Sequence, residues 1–164
     1  QPRYVARPQN IGKATTQGIG LVAKCRLGQL IDDGPRTEVR ANASIFRSRV
    51  DAVPGPDNRL AEQPGGTLNF GVDHRFRGTP LTLGGNLNHT PGYRTRLVQA
   101  EKNVLDAYAL WTLSPELKLR LSLSNALTPD TSATTEVSSA ALTETNRTTT
   151  RSFINTQLRL EMKL

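Results

Sequence analysis

The sequence predicts an all-β fold, an antiparallel up-and-down meander of about seven to eight long strands. Three observations predict it. Apolar and polar residues alternate with a period of two along most of the chain, with little helical periodicity. The alternating runs are about 9–14 residues long, against about 5–6 for a strand of an ordinary globular domain. The links between runs are sorted by parity, short and long in turn.

Taken in order, the first run places Ile19, Leu21, Ala23, Cys25 and Leu27 on one face, with Gly20, Val22, Lys24 and Arg26 opposite. Val39, Ala41, Ala43 and Ile45 alternate with Glu38, Arg40, Asn42 and Ser44. Leu68, Phe70, Val72, His74 and Phe76 alternate with Asn69, Gly71, Asp73 and Arg75. Leu81, Leu83, Gly85 and Leu87 alternate with Thr82, Gly84, Asn86 and Asn88. Leu105, Ala107, Ala109, Trp111 and Leu113 face away from Asp106, Tyr108 and Thr112. Leu117, Leu119, Leu121 and Leu123 alternate with Lys118, Arg120, Ser122 and Ser124. The last run sets Ile154, Leu158, Leu160, Met162 and Leu164 against Asn155, Gln157, Arg159, Glu161 and Lys163. A partial strand is expected in residues 2–8.

Composition narrows the class. Hydrophobic residues are 36% and aromatics 5% of the 164 residues, too few for a thick two-sided core. The longest uninterrupted apolar run covers 107–111, whereas a spanning helix needs about 20 residues. Cys25 is the single cysteine, which excludes a disulfide-stapled scaffold. It sits in an apolar row and reads as a small buried or lipid-facing hydrophobe. The chain opens without Met and without a basic segment followed by an apolar one. A removed targeting segment or a longer parent chain is therefore expected.

The tight links are Arg77-Gly78-Thr79-Pro80 and Ser114-Pro115-Glu116, and 28–35 is of moderate length. The long links cover roughly 50–65, 90–102 and 127–149. In a meander every second link lies at the same rim, so one rim carries turns and the other long loops. That asymmetry is the pattern of outer-membrane barrels. The Thr/Ser/Ala-rich stretch 128–150 has no apolar periodicity and reads as a mobile exposed loop. Pro54-Gly55-Pro56-Asp57-Asn58 is a turn-forming cluster.

Against this background several segments resemble the late barrel strands of TonB-dependent outer-membrane receptors. They are Asn10-Ile11-Gly12-Lys13-Ala14 with Gly18-Ile19, Ser48-Arg49-Val50, and Gln63-Pro64 with Asn69, Gly71 and Asp73. The run 121–127 resembles the penultimate strand and its exit, and 158–164 the closing strand. Gly20, His74 and Leu164 depart from the residues usual at those places. The resemblance covers nearly the whole chain. It implies that 1–164 is the C-terminal portion of a β-barrel whose plug domain and earlier strands are not in this sequence. It also implies TonB-dependent uptake of ferric siderophores or similar scarce nutrients, with location in the bacterial outer membrane. The implied partners are outer-membrane lipid, the TonB energy-transducing system acting through the plug, and a small anionic chelate or nutrient.

The charge of +7 raises nucleic-acid binding, but the basic residues do not cluster with aromatics. Lys24, Arg26, Arg40, Arg75, Lys118, Arg120, Arg159 and Lys163 are spread over the polar strand faces, beside Glu38, Asp73, Asp106 and Glu161. In a barrel this face lines the lumen, as a solvated wall or as an attractor of anionic ligands. The ligand-contact candidates are Tyr93, Arg94 and Arg96 in a long loop, where cations beside an aromatic suit an anionic planar chelate. Enzymatic readings fail on inventory. No metal-ligand spacing, nucleophile elbow or phosphate loop is present, and no catalytic residue, metal or cofactor is expected. Asp32-Asp33-Gly34 reads as a turn. The alternatives are a self-contained small outer-membrane barrel, porin-like or an anchor, and a soluble all-β binding module.

Residues 1–164 expressed alone are expected not to form a stable closed transporter, because an isolated segment of a barrel wall carries raw strand edges. Extraction from outer membranes as a heat-modifiable, protease-resistant monomer would sink this expectation and favour the small barrel.

Overall fold

Strict alternation leaves the chain one way to fold: extended strands must lie side by side so that their apolar rows merge into one face. A computed structural model describes residues 10, 12–31, 34–53, 58–94, 97–138 and 143–163 in these terms. The long strands are β1 (Ala14–Arg26), β2 (Thr37–Val50), β3 (Gly66–Arg75) and β4 (Leu81–Thr90). Two short strands follow, β5 (Tyr93–Arg94) and β6 (Leu97–Gln99), then β7 (Lys102–Thr112) and β8 (Leu117–Ser124). The chain ends with β9 (Thr131–Ser138), β10 (Thr143–Thr150) and β11 (Asn155–Met162). A single 3-10 turn covers Leu27–Gln29. The expected strand in 2–8 lies outside the described residues, as do Asp32, Asp33, the 54–57 part of the turn cluster and Leu164.

Seven strands form one antiparallel sheet in the order β1-β2-β3-β4-β7-β8-β11. The all-β meander expected from the alternation is present. Its register merges the apolar rows strand by strand. Cys25 pairs with Val39, Val39 with Val72, Val72 with Gly85, Gly85 with Ala107, and Ala107 with Leu123. One residue along, Arg26 pairs with Glu38, Glu38 with Asp73, Asp73 with Gly84, and Gly84 with Tyr108. A slip of one residue at any ladder would put charges into the apolar face, which fixes the register throughout.

The short links share one rim. Phe76 donates its backbone N–H to Leu81 O at 3.1 Å across the Arg77–Pro80 turn. At the next turn Ser114 Oγ accepts the N–H groups of Glu116 (3.3 Å) and Leu117 (3.0 Å). Arg77 Nη2 donates to Gly34 O at 2.7 Å, tying the 3-10 corner to the β3–β4 turn.

At the opposite rim the long links build structure of their own. β5, β6, β9 and β10 form a second sheet in the order β10-β9-β6-β5. This corrects the reading of 128–150 as a structureless loop. Thr and Ser lack the apolar face that periodicity detects, but Thr is β-branched and suits a pleated surface. β9 and β10 pair as a hairpin from Thr131↔Thr150 to Ser138↔Thr143. β10 is exposed along its whole length.

The seven-stranded sheet has no second layer over it among the described residues. Val50 (4% exposed) is its one buried hydrophobic residue, and no large side chain is fully buried. A compact 17.9 kDa protein exposes about 8,000 Å², and this chain exposes 12782 Å². Ile19 (74%), Leu21 (71%), Ile45 (70%) and Leu158 (67%) stand almost fully open on the apolar face.

The exception near Val50 is instructive. Ser48, 5% exposed, accepts the N–H of Leu60 at its Oγ, 2.9 Å away. Val50 N donates to Asn58 O at 2.7 Å, and Phe46 N donates to Gly65 O at 2.9 Å. These bonds lash the 58–65 segment to the end of β2. Ser48→Ala leaves the Leu60 amide without its partner, at a cost of about 1–3 kcal/mol. Hydrogen exchange of the 58–65 amides is expected to speed up accordingly, with the β3–β4 ladder unaffected.

Candidate functional site

The two faces of the sheet differ in chemistry, one mostly apolar and one mostly polar. On the polar face the charges do not stand apart. Glu38 takes Lys24 Nζ at 3.1 Å on one carboxylate oxygen and Arg26 Nε at 3.2 Å on the other. Arg40 Nη2 donates to Asp73 Oδ2 at 2.5 Å, and the Tyr108 hydroxyl donates to Asp73 Oδ1 at 2.5 Å. The Arg120 guanidinium lies 4.8 Å from the Tyr108 ring centroid and donates through Nε to Glu161 at 2.9 Å. These contacts link β2, β3, β7, β8 and β11 across one face.

Tyr108 reaches Asp73 although β4 lies between their strands. It does so because β4 carries Gly84 at the crossing, paired with both. A Cβ at Gly84 would lie 2.2 Å from Tyr108 Cε1 and 2.3 Å from Asp73 Oδ1. The ring lies over the bare glycine, an aromatic covering the gap that glycine leaves in a sheet. Arg40 reaches Asp73 from the adjacent strand, over its own partner Gly71, where a Cβ would meet Asn86 Oδ1 at 3.1 Å and Arg40 Nε at an ordinary 3.5 Å. The alternation identified these side chains as members of the polar face but missed the network. Its only signals were a tyrosine at polar-face parity and a glycine two strands' alternation could not explain.

Toward the short-turn rim the polar face hollows into a cleft of about 650 Å³, lined by Arg26, Arg36, Glu38, Asp73, Arg75 and Tyr108. Both carboxylates are already engaged by bases, so the cleft presents arginine. Among the described residues no three His, Cys, Asp or Glu side chains gather as a metal site would require.

The apolar face has a shape that single strands do not reveal. On β1 and β2 its upper limit is the paired Ile19 and Ile45. On β4 it is Leu87, which stands in the row of Ala41. On β8 it is Leu123, in the row of Val39. The limit therefore moves six residues along the strands between β2 and β8, four places apart in the sheet. Six residues are about 20 Å along a strand, and four strand spacings are about 19 Å, so the band crosses the strands at about 45° to their ladders. Its lower limit shifts in the same direction, from Cys25 and Val39 to Leu117 and Met162.

At the long-loop rim stand the residues expected to contact a ligand. Tyr93 and Arg94 form β5, opposite Gln99 and Val98 of β6. Tyr93 is half-buried and Arg94 exposed. Burial first, and then the charge of Glu62, push the Tyr93 phenol above its ordinary value. As successive strand residues, Tyr93 and Arg94 direct their side chains to opposite faces. Arg96 lies outside the described residues.

Comparison of the chain with family models, with curated proteins and with solved structures found no match.

The Gly84 crossing is open to a direct test. Gly84→Ala drives the Tyr108 ring off Asp73 and is expected to destabilise the sheet by about 1–3 kcal/mol, the cost of inserting a methyl where there is no room. Tyr108→Phe keeps the ring over the glycine and loses only the hydroxyl's bond to a carboxylate. In urea unfolding the alanine variant should fall below the phenylalanine variant. The double variant Gly84→Ala/Tyr108→Ala, which restores space, should recover part of the loss.

Proposed function

We propose that the chain is a wall segment of a transmembrane β-barrel of a bacterial outer membrane. Its apolar face contacts lipid, its polar face turns to the lumen, and its long-loop rim faces outward. Within that reading it belongs to a receptor that imports scarce nutrients by a TonB-dependent route, with a small anionic chelate such as a ferric siderophore as the ligand class. The import step and the ligand class rest on the sequence resemblance alone.

The observation that carries the barrel reading is the inclined apolar band. A lipid slab is flat, and barrel strands cross it at about 35–45°. A lipid-facing band must then slide along successive strands at a steady rate, and the slope of about 45° obtained from the register agrees. Further support comes from the sorted rims, the strand lengths of 10–14 residues in β1 to β4, and the open apolar face. β1 and β11 each pair on one side only among the described residues, which suits a segment continued by further strands. A basic inner wall would draw an anionic ligand inward. Uptake through it also needs a plug to couple to the inner membrane, so a plug domain encoded upstream is the decisive companion for the import reading.

Trp111 makes the orientation measurable, because it is the single tryptophan and stands 50% exposed on the apolar face. With the chain refolded into vesicles, lipids brominated in the acyl chain should quench its emission, and aqueous iodide should not. Quenching by iodide, with bromolipids inert, would overturn the proposed orientation and favour a soluble module.

A further inference from the structure

The apolar face carries charge at one place. Among the described residues of the seven long strands, Arg47 and Arg49 are the only Lys, Arg, Asp or Glu side chains at apolar-face parity. They follow Ile45 on β2, opposite Gln17 and Thr15 of β1. Both are exposed. Ile45 and its partner Ile19, directly below them, are 70% and 74% exposed and end the apolar band. The two guanidinium groups therefore sit one and two side-chain steps beyond the last aliphatic row, on the long-loop side.

The surroundings form a seat. A cleft of about 670 Å³ runs between β2 and the segment lashed to it, lined by Ile45, Arg47, Arg49, Asn58, Arg59 and Gly65. A second hollow of about 430 Å³ flanks the same arginines on the β1 side, beside Thr15, Gln17 and Asp51. Three arginines and an isoleucine thus line the first cleft. Among the described residues Arg49 is paired with Asp51, Oδ1 standing 3.8 Å from Nε and both side chains more than 60% exposed. A pair so long and so wet does little to occupy the arginine.

We propose that Arg47, Arg49 and Arg59 bind the phosphate of a lipid headgroup in the leaflet on the long-loop side. This rests on the membrane reading above and deepens it. Guanidinium groups grip phosphate oxygens in pairs. Their stems lie along apolar surface while the charged ends reach outward. A headgroup held there leaves its acyl chains running down over Ile45 and Ile19. Soluble phosphate shares the headgroup chemistry but not the apolar foot of the cleft, which is why lipid is the assigned source.

The test is vesicle co-flotation of the full chain, with phosphatidylcholine alone and with one part phosphatidylglycerol in five. The parent chain should float with both and prefer the anionic vesicles. Arg47→Gln/Arg49→Gln should float with phosphatidylcholine as the parent does and lose about fivefold of the anionic preference per arginine, on the order of 25-fold in all. Lys118→Gln/Arg159→Gln removes the same charge from the polar face and should keep the preference. Equal loss in both double variants would reduce the effect to net charge and overturn the site. Loss of the preference on adding inorganic phosphate at constant ionic strength would overturn the assignment to lipid. Failure of the parent to float with either vesicle would sink the membrane reading itself, and the site with it.

Discussion

The sheet is a single layer, and everything else in the molecule follows from that constraint. An antiparallel sheet with one apolar face must cover that face to recover the free energy of taking it out of water. In most domains the cover is a second sheet or a layer of helices from the same chain. Here the described residues supply none. Leu121 and Leu123 of β8, Leu158 and Leu160 of β11, Phe70 of β3 and the isoleucines of β1 and β2 all stand exposed. A surface of this size left to water would drive association. Whatever covers it is therefore part of the folded state, and stability of this chain has meaning only with that cover in place.

The polar face solves a different problem. With no core behind it, the sheet is held by its ladders and by side chains that span them. A carboxylate such as Asp73 cannot be left between two strands without partners, and it takes Arg40 from one side and Tyr108 from the other. Tyr108 must cross β4 to arrive and crosses at Gly84, whereas Arg40 reaches Asp73 diagonally from the adjacent strand. Gly71 and Gly84 weaken the strands they occupy as isolated residues. In context Gly84 is the gap through which the network closes. The same arrangement leaves the face basic, because the acids are each engaged while Arg36 and Arg75 line the cleft beside them.

How much of this was legible in the sequence depends on which signal each feature leaves. The seven long strands were legible because each has one apolar face, and period two is the direct imprint of such a face. The sorted loops were legible because link length survives in the linear sequence. β9 and β10 were not legible. Their threonines favour strands by shape, but with no apolar partner surface they leave no periodicity, and composition alone reads as loop. Tyr108 was placed on the correct face, yet its bond to Asp73 depends on a glycine 24 residues away, a relation that exists only once β4 and β7 are paired. Of the ligand-contact candidates, Tyr93 and Arg94 do reach the long-loop rim, and their division between two faces of β5 follows from a strand that the loop reading did not contain.

The inclination of the band bears on what the cover is. A second protein layer fits a sheet by interdigitation, large side chain against small, and its outline follows wherever that fit extends. A lipid slab imposes an outline of its own, two parallel limits that ignore the strands. The upper and lower limits of this apolar face move together, by the same sense and over the same strands, so the face keeps its width while its position shifts. Width is thus set by something indifferent to the register of the ladders. Tilt and closure are linked in a barrel, since inclined strands must return to their starting height through a fixed stagger. On the proposed barrel reading β1 and β11 would stand at opposite ends of that stagger, and any strand pairing with either edge would have to carry the drift onward at the same rate for the band to remain level.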